Sequence, residues 1–156
     1  MVVIRTAQIE DFKFLSKIFS LNVPKYFEKK ELDDFKKYFI KNFNTYSILI
    51  LNSEIIGGAG YVMENELTGR ITWLFIHPDF HRKGFGKKIV AYCMNKLRDV
   101  KSIEKIEVNT SNLAFNFFKN LEFELEYVKK NHWAQGIDLY FMSRKISYKL
   151  LNKKCL

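Results

Sequence analysis

The chain has 156 residues, 47% hydrophobic and 16% aromatic, with only 7 glycines and 2 prolines. That composition fits one compact globular domain and excludes a disordered, collagenous or low-complexity chain. Its 26 lysines and arginines against 17 acids give a net charge of +9, which predicts attraction to polyanions without choosing among nucleic acid, a membrane surface and a phosphorylated cofactor.

Residues 2–5 read as a short strand, and the polar break at Arg5-Thr6 leaves no apolar signal core. Glu10 and Asp11 then open the helical spacing Phe12, Leu15, Ile18 and Phe19, with Asp11 as its cap and Pro24 as its stop. A second amphipathic helix is predicted over residues 31–43, where Leu32, Phe35, Phe39 and Ile40 share one face. The β-rich runs 46–51, 55–63 and 70–77, separated by Asn52-Ser53 and Thr68-Gly69 and closed by Pro78, predict an antiparallel meander. Asn52-Ser53-Glu54 also interrupts the longest apolar stretch, so it cannot supply the ~20 residues needed to cross a bilayer, and a soluble cytoplasmic protein is expected.

Residues 87–100 are predicted helical, with Ile89, Val90, Cys93, Met94, Leu97 and Val100 as the buried stripe. Cys93 is then a core residue. Cys93 and Cys155 make neither a disulfide framework nor a metal-ligand spacing, and the 3 histidines lack companion ligands, so no metal is expected. A strand at 105–109, a helix at 111–121 burying Ala114, Phe117, Phe118 and Leu121, and strands at 123–128 and 137–146 complete the pattern. The order β α α β β β α β α β β predicts a single α/β domain over residues 1–146, followed by a basic, frayed tail at 147–156.

The segment from Phe75 through Ile76-His77-Pro78 to His81-Arg82-Lys83-Gly84-Phe85-Gly86-Lys87-Lys88 sets a strand, a proline stop, a glycine-spaced turn and a helix start in sequence. A helix N-terminus carries unpaired N–H groups and partial positive charge, so this turn is a predicted anion site, with Arg82, Lys83, Lys87 and Lys88 adding charge around it. A Walker A loop would need Ser or Thr at Lys88, and a dinucleotide fingerprint a third glycine at Ile89; neither fits.

These residues resemble the GNAT family of N-acetyltransferases, in which Gln/Arg-x-x-Gly-x-Gly/Ala follows a strand ending in Val-x-Pro; here His81 takes the first loop position and Ile76-His77-Pro78 the strand end. The resemblance implies a GNAT-like mixed, mostly antiparallel sheet flanked by helices, with acetyl-CoA as co-substrate. It implies backbone amides of Arg82, Lys83, Gly84, Phe85, Gly86 and Lys87 around the pyrophosphate. Leu74, Phe75 and Ile76 would lie along the pantetheine arm and acetyl group, with the N–H near Ile76 as oxyanion donor. The segment from Asn109 to Phe123 is similar to the family's Asn-x-x-Ala-x-x-Phe-Tyr-x-x-x-Gly-Phe. Ser111 stands there for the asparagine, Phe118 for the tyrosine often used as general acid, and Glu122 for the glycine.

Relatives often carry a glutamate on the fourth strand, whereas the same-face positions here are Arg70, Thr72 and Leu74. The expected base is therefore a water relay through Thr72, or one of Glu28, Glu66, His132 and Asp138. Trp73, Trp133, Tyr61 and Tyr140 are candidate walls of an acceptor pocket. The implied reaction is direct attack of a primary amine on the thioester in a ternary complex, the acceptor being a small amine, a peptide N-terminus or a lysine. A coenzyme A-binding protein with little catalysis is the alternative that Phe118 and the missing carboxylate suggest. Nucleic-acid binding rests on charge alone, without a helix-turn-helix or paired-aromatic motif. Homodimers are common among relatives.

Overall fold

Alternating β-branched and aromatic runs build the sheet, and periodic apolar stripes dock the helices on it. The structure is a computed structural model and describes residues 1–146; the basic segment 147–156, with its expected fraying, and Cys155 lie outside the described residues. In chain order the elements are β1 (Val2–Thr6), α1 (Phe12–Leu21), α2 (Glu31–Asn42), β2 (Tyr46–Leu51), β3 (Glu54–Met63), β4 (Thr68–Ile76), α3 (Phe85–Arg98), β5 (Lys105–Ser111), α4 (Phe115–Asn120), β6 (Glu124–Ala134) and β7 (Ile137–Lys145), with short 3-10 turns before α1, β2 and α3. The element order and the mixed sheet agree with expectation. The strands lie in the order β1-β2-β3-β4-β5-β7-β6. Every neighbouring pair is antiparallel except β4 with β5, which the α3 crossover makes parallel.

The helices divide the core in two. On one face α3 buries Ile89, Val90, Cys93, Met94 and Leu97 against Leu49, Ile71, Ile76 and Ile106. On the other, α1 and α2 enclose a mostly aromatic cluster of Phe19, Phe35, Phe39, Tyr46 and Phe75. Burial pushes the Cys93 thiol up to about 12, so it stays a protonated packing group.

Several local expectations are corrected. Asn52 and Ser53 do make the β2–β3 turn, both with positive φ (49° and 71°). Thr68-Gly69 does not make the next one. Both residues lie inside β4, and the connection is residues 64–67, closed by the Glu64 and Asn65 N–H groups donating to the Thr68 carbonyl. Gly69 is glycine because a Cβ there would stand 2.6 Å from the Leu97 side chain of α3. On α2, Ile40 faces solvent at 53% exposure, and the half-buried inward residue is Tyr38. Only Phe115–Asn120 of the expected 111–121 helix is helical, because Ser111 continues β5. β6 runs to Ala134, so His132 lies in a strand and not in a loop.

Asp11 does not cap α1. Its buried carboxylate turns back, accepting the Gln8 N–H at 2.7 Å and both terminal nitrogens of Arg5 at 2.9 and 3.0 Å. Burial alone would raise its pKa, but these hydrogen bonds outweigh it and hold the carboxyl below the usual range. A lowered folded pKa stabilises the fold above the unfolded carboxylate pKa of about 3.9, and that contribution is lost as pH falls through the folded value. Asp11→Asn is therefore expected to be less stable than the parent in urea at pH 7, with the difference shrinking as pH drops below about 4. A constant difference across that range would refute the assignment.

Candidate active site

β4 and β5 pair only from Thr68–Ile71 to Lys105–Val108 and then part, although β5 continues against β7 as far as Ser111. β4 is deflected at the same point by a bulge. Thr72 faces Gly60 and Phe75 faces Gly58, so Trp73 and Leu74 share the place opposite Ala59, with Trp73 in the left-handed region at φ 44°. The bulge reverses the side-chain alternation. Trp73 and Phe75 join the aromatic cluster on the α1–α2 face, while Leu74 and Ile76 pack on the α3 face. The expected shared face of Arg70, Thr72 and Leu74 is thus broken after Thr72.

The register also fixes the backbone of Ile76. His77 N–H donates to the Ile56 carbonyl at 2.7 Å, making His77–Ile56 a hydrogen-bonded pair and turning the Ile76 N–H and C=O away from β3 toward the gap. The carbonyl is held there by Asn22 Nδ2 at 3.1 Å and by His81 Nε2 at 2.7 Å. A carbonyl only accepts, so His81 carries its proton on Nε2. The His81 side chain thus ties the turn to the strand end.

The turn then enters α3 through Arg82 (φ 58°) and the Ncap residue Gly84 (φ 85°). The first helical bond runs from Lys88 N–H to Gly84, and among the described residues no N–H from Arg82 to Lys87 has a protein partner. These donors edge a cleft of about 1000 Å³ that continues through the β4–β5 gap to the α2 face. On the turn side it is lined by His81, Arg82, Gly84, Gly86, Lys87, Ser111, Ala114, Phe117 and Phe118. Gly86 admits Phe117, whose ring would lie 3.2 Å from a Cβ there.

The cleft is lined further by Tyr26, Phe27, Glu31, Tyr38, Thr72, Trp73 and Trp133, and by Glu64 and Arg70, with Tyr26 edge-on to His81. Tyr38 and Thr72 hydroxyls hydrogen-bond at 2.5 Å, and burial pushes the Tyr38 phenol up to about 12. Trp133 Nε1 donates to the Thr110 carbonyl and closes the β5 side. Arg70 is held between Glu64 at 3.0 Å and Glu107 at 2.6 Å.

Of the residues expected at the site, Thr72, Leu74, Phe75, Ile76, His81, Arg82, Gly84, Gly86, Lys87, Ser111 and Phe118 line this one cleft. Lys83 and Phe85 do not line it: the Lys83 ammonium lies over the Phe80 ring, and Phe85 packs edge-on against Phe80. None of the expected bases Glu28, Glu66, His132 and Asp138 lines the cleft. Glu28 pairs with Lys30, and Asp138 accepts the Asn131 N–H within the β6–β7 hairpin. Tyr61 and Tyr140 also lie elsewhere. The carboxylates that do reach it, Glu31 and Glu64, carried no local signal beyond charge, because a helix start and a strand connection bring them in.

A sheet opened between two parallel strands, beside a helix start with free amides, defines the class of α/β proteins that can hold an anionic ligand by backbone at the strand ends. The chain belongs to the acetyltransferase (GNAT) family, whose model matches residues 12–123. The ribosomal-protein-S18-alanine N-acetyltransferase of Escherichia coli has the same fold, with a TM-score of 0.77 at 15% identity over 94% of this chain and 95% of that one. So has yncA of Salmonella typhimurium, solved with its cofactor acetyl-CoA, with a TM-score of 0.75 at 14% identity over 94% and 95%. An aminoglycoside 6′-N-acetyltransferase complexed with coenzyme A gives 0.75 at 11% identity over 94% and 98%. A comparison with curated proteins found no match.

His81→Ala removes one of the two side-chain donors to the Ile76 carbonyl. It is expected to cost about 0.5–1.5 kcal/mol in urea unfolding, since Asn22 retains the other bond. No loss would mean that the turn holds its place without His81.

Proposed function

We propose that this chain transfers an acetyl group from acetyl-CoA to a primary amine by direct attack in a ternary complex. The observation that carries this reading is the single cleft joining the free amides of residues 82–87 to an aromatic pocket through the β4–β5 gap. Gly84 suits the turn because its positive φ costs other residues about 1–2 kcal/mol. The fold's occurrence with coenzyme A in structural relatives supports the same ligand.

Acetyl-CoA supplies the thioester carbon. The N–H groups of Arg82 to Lys87 would hold the pyrophosphate, with the Arg82 and Lys87 side chains at the cleft wall. The Ile76 N–H, turned from β3, would donate to the carbonyl oxygen as negative charge develops there, which is where a fixed donor helps most. Leu74 and Phe118 keep the gap apolar. Tyr38 and Thr72 stay protonated near neutrality, so they orient the amine or a water and do not themselves serve as base. Phe118 has no proton to give, and a thiol with a pKa near 8.5 departs as thiolate without one. That missing donor is what favours the second reading, coenzyme A binding with little turnover.

Thermal melting with acetyl-CoA, coenzyme A, ATP and NAD tests the binding step. At about 100 times its dissociation constant, either coenzyme A species should add about 2.7 kcal/mol to the parent and much less to Gly84→Val, whose turn must distort. No shift at millimolar coenzyme A overturns the proposal. A shift without turnover across a panel of amines selects the second reading.

A further inference from the structure

The acids around the cleft are neutralised, with one exception. Asp11 has Arg5 at 2.9 Å, Glu28 has Lys30 at 3.1 Å, and Glu64 and Glu107 share Arg70. Glu31, the first residue of α2, lines the cleft half-buried, and among the described residues no cation lies within ion-pair distance of it. One oxygen accepts the Glu28 N–H at 2.7 Å, and among the described residues the other has no hydrogen-bond partner. The same cleft is lined by Phe27 and Trp73, stacked at 6.1 Å, and Phe35, one turn further along α2, packs on Trp73 at 5.5 Å. An unpaired carboxylate in a cleft with aromatic walls is matched by an ammonium, which gains from the charge and from the ring faces together.

Resting on the acetyl-transfer reading, we infer that Glu31 receives the acceptor's ammonium and takes its proton, and that the acceptor is a primary amine whose neighbouring carbons are apolar and carry no carboxylate. The ammonium gives one proton to the Glu31 carboxylate, and the freed lone pair forms the C–N bond. The C–S bond breaks with its electrons going to sulfur. The amide nitrogen then sheds its second proton, which ends on the thiolate or in water. A carboxylate on the carbon beside the amine would place a second anion against Glu31 on this wall.

Burial raises the pKa of Glu31. The Glu28 N–H opposes that shift, the charges of Glu28 and Asp34 add to it, and Lys30 opposes it. A raised carboxyl is a better proton acceptor than an ordinary one. The other titratable or charged groups lining the cleft are Tyr26, Tyr38, Glu64, Arg70, His81, Arg82 and Lys87.

The test is initial-rate acetyl transfer from acetyl-CoA to phenethylamine, hexylamine and glutamate between pH 5 and 9, for the parent, Glu31→Gln and Glu31→Asp. Coenzyme A melting shifts are recorded on the same samples. Gln keeps an oxygen for the Glu28 N–H, so folding should survive, and Asp provides a second, charge-conserving variant. Expected are kcat/KM falling about 10²–10⁴-fold in Glu31→Gln with the coenzyme A shift intact, partial recovery in Glu31→Asp, and loss of the acid limb that the parent shows as Glu31 protonates. The two apolar amines should exceed glutamate by at least tenfold in the parent. Parent-like rates and pH profile in Glu31→Gln, or glutamate accepted as well as phenethylamine, overturn the inference. A parent without a coenzyme A shift or any turnover instead overturns the acetyl-transfer reading on which it stands.

Discussion

Everything at this site follows from the fact that β4 cannot stay paired with both neighbours. A strand that leaves its partner exposes backbone donors and acceptors, and buried ones must be satisfied. The chain satisfies the Ile76 carbonyl twice, from Asn22 and His81. Asn22 is 3% exposed and also donates to the Ile18 carbonyl, so one amide joins the end of α1 to the end of β4. His81 does the same for the turn before α3. Helix end, strand end and turn are therefore fixed relative to one another before any ligand arrives, which is the preorganisation a backbone-lined site requires.

The bulge that starts the parting is itself held by a side chain from β2. Tyr46 is fully buried, and its hydroxyl donates to the Trp73 carbonyl at 2.9 Å. The ring has room because position 58 is glycine, where a Cβ would come within 2.5 Å of it. Gly60 likewise clears space for the hydroxyl pair of Tyr38 and Thr72, and Gly57 for the Phe75 carbonyl. Three glycines of β3 thus let aromatic side chains and the deflected β4 approach closely, at some cost in strand propensity. A left-handed tryptophan is tolerated because its carbonyl, ring and neighbours are all engaged.

The helices and the turn were legible because their signals are local: apolar spacing in α1 and α3, and Pro78 and Gly84 around a helix start. The strand order was not legible, since pairing of β4 with β5 joins residues far apart in the chain. The bulge was not legible. Nothing in Thr72-Trp73-Leu74-Phe75 marks a left-handed residue, and the alternation carried through it put Leu74 on the wrong face. The same limit hid the cleft carboxylates. Glu28 and Glu31 are similar in sequence, and only the docking of α2 turns Glu31 inward while Lys30 takes Glu28. Thr68-Gly69 resembled a turn because glycine serves both turns and close helix approach, and the packing of Leu97 decides between them.

The excess of positive charge plays a smaller part at the site than its size suggests. Attraction between exposed charges is screened beyond about 8 Å at physiological salt, so a net +9 raises encounter with an anion but selects no binding place. Of the cations lining the cleft, Arg70 is committed to two carboxylates, whereas among the described residues Arg82 and Lys87 make no ion pair; elsewhere Arg5 is committed to Asp11, Lys30 to Glu28 and Lys83 to an aromatic face. What distinguishes the turn is a run of free N–H groups at a helix start, whose field acts at contact distance, where screening is weak. The charge of the chain and the chemistry of its site are therefore separable. Substitutions among the scattered lysines should change association with anions in general, whereas changes to the backbone of residues 82–87 should act only locally, at the start of α3.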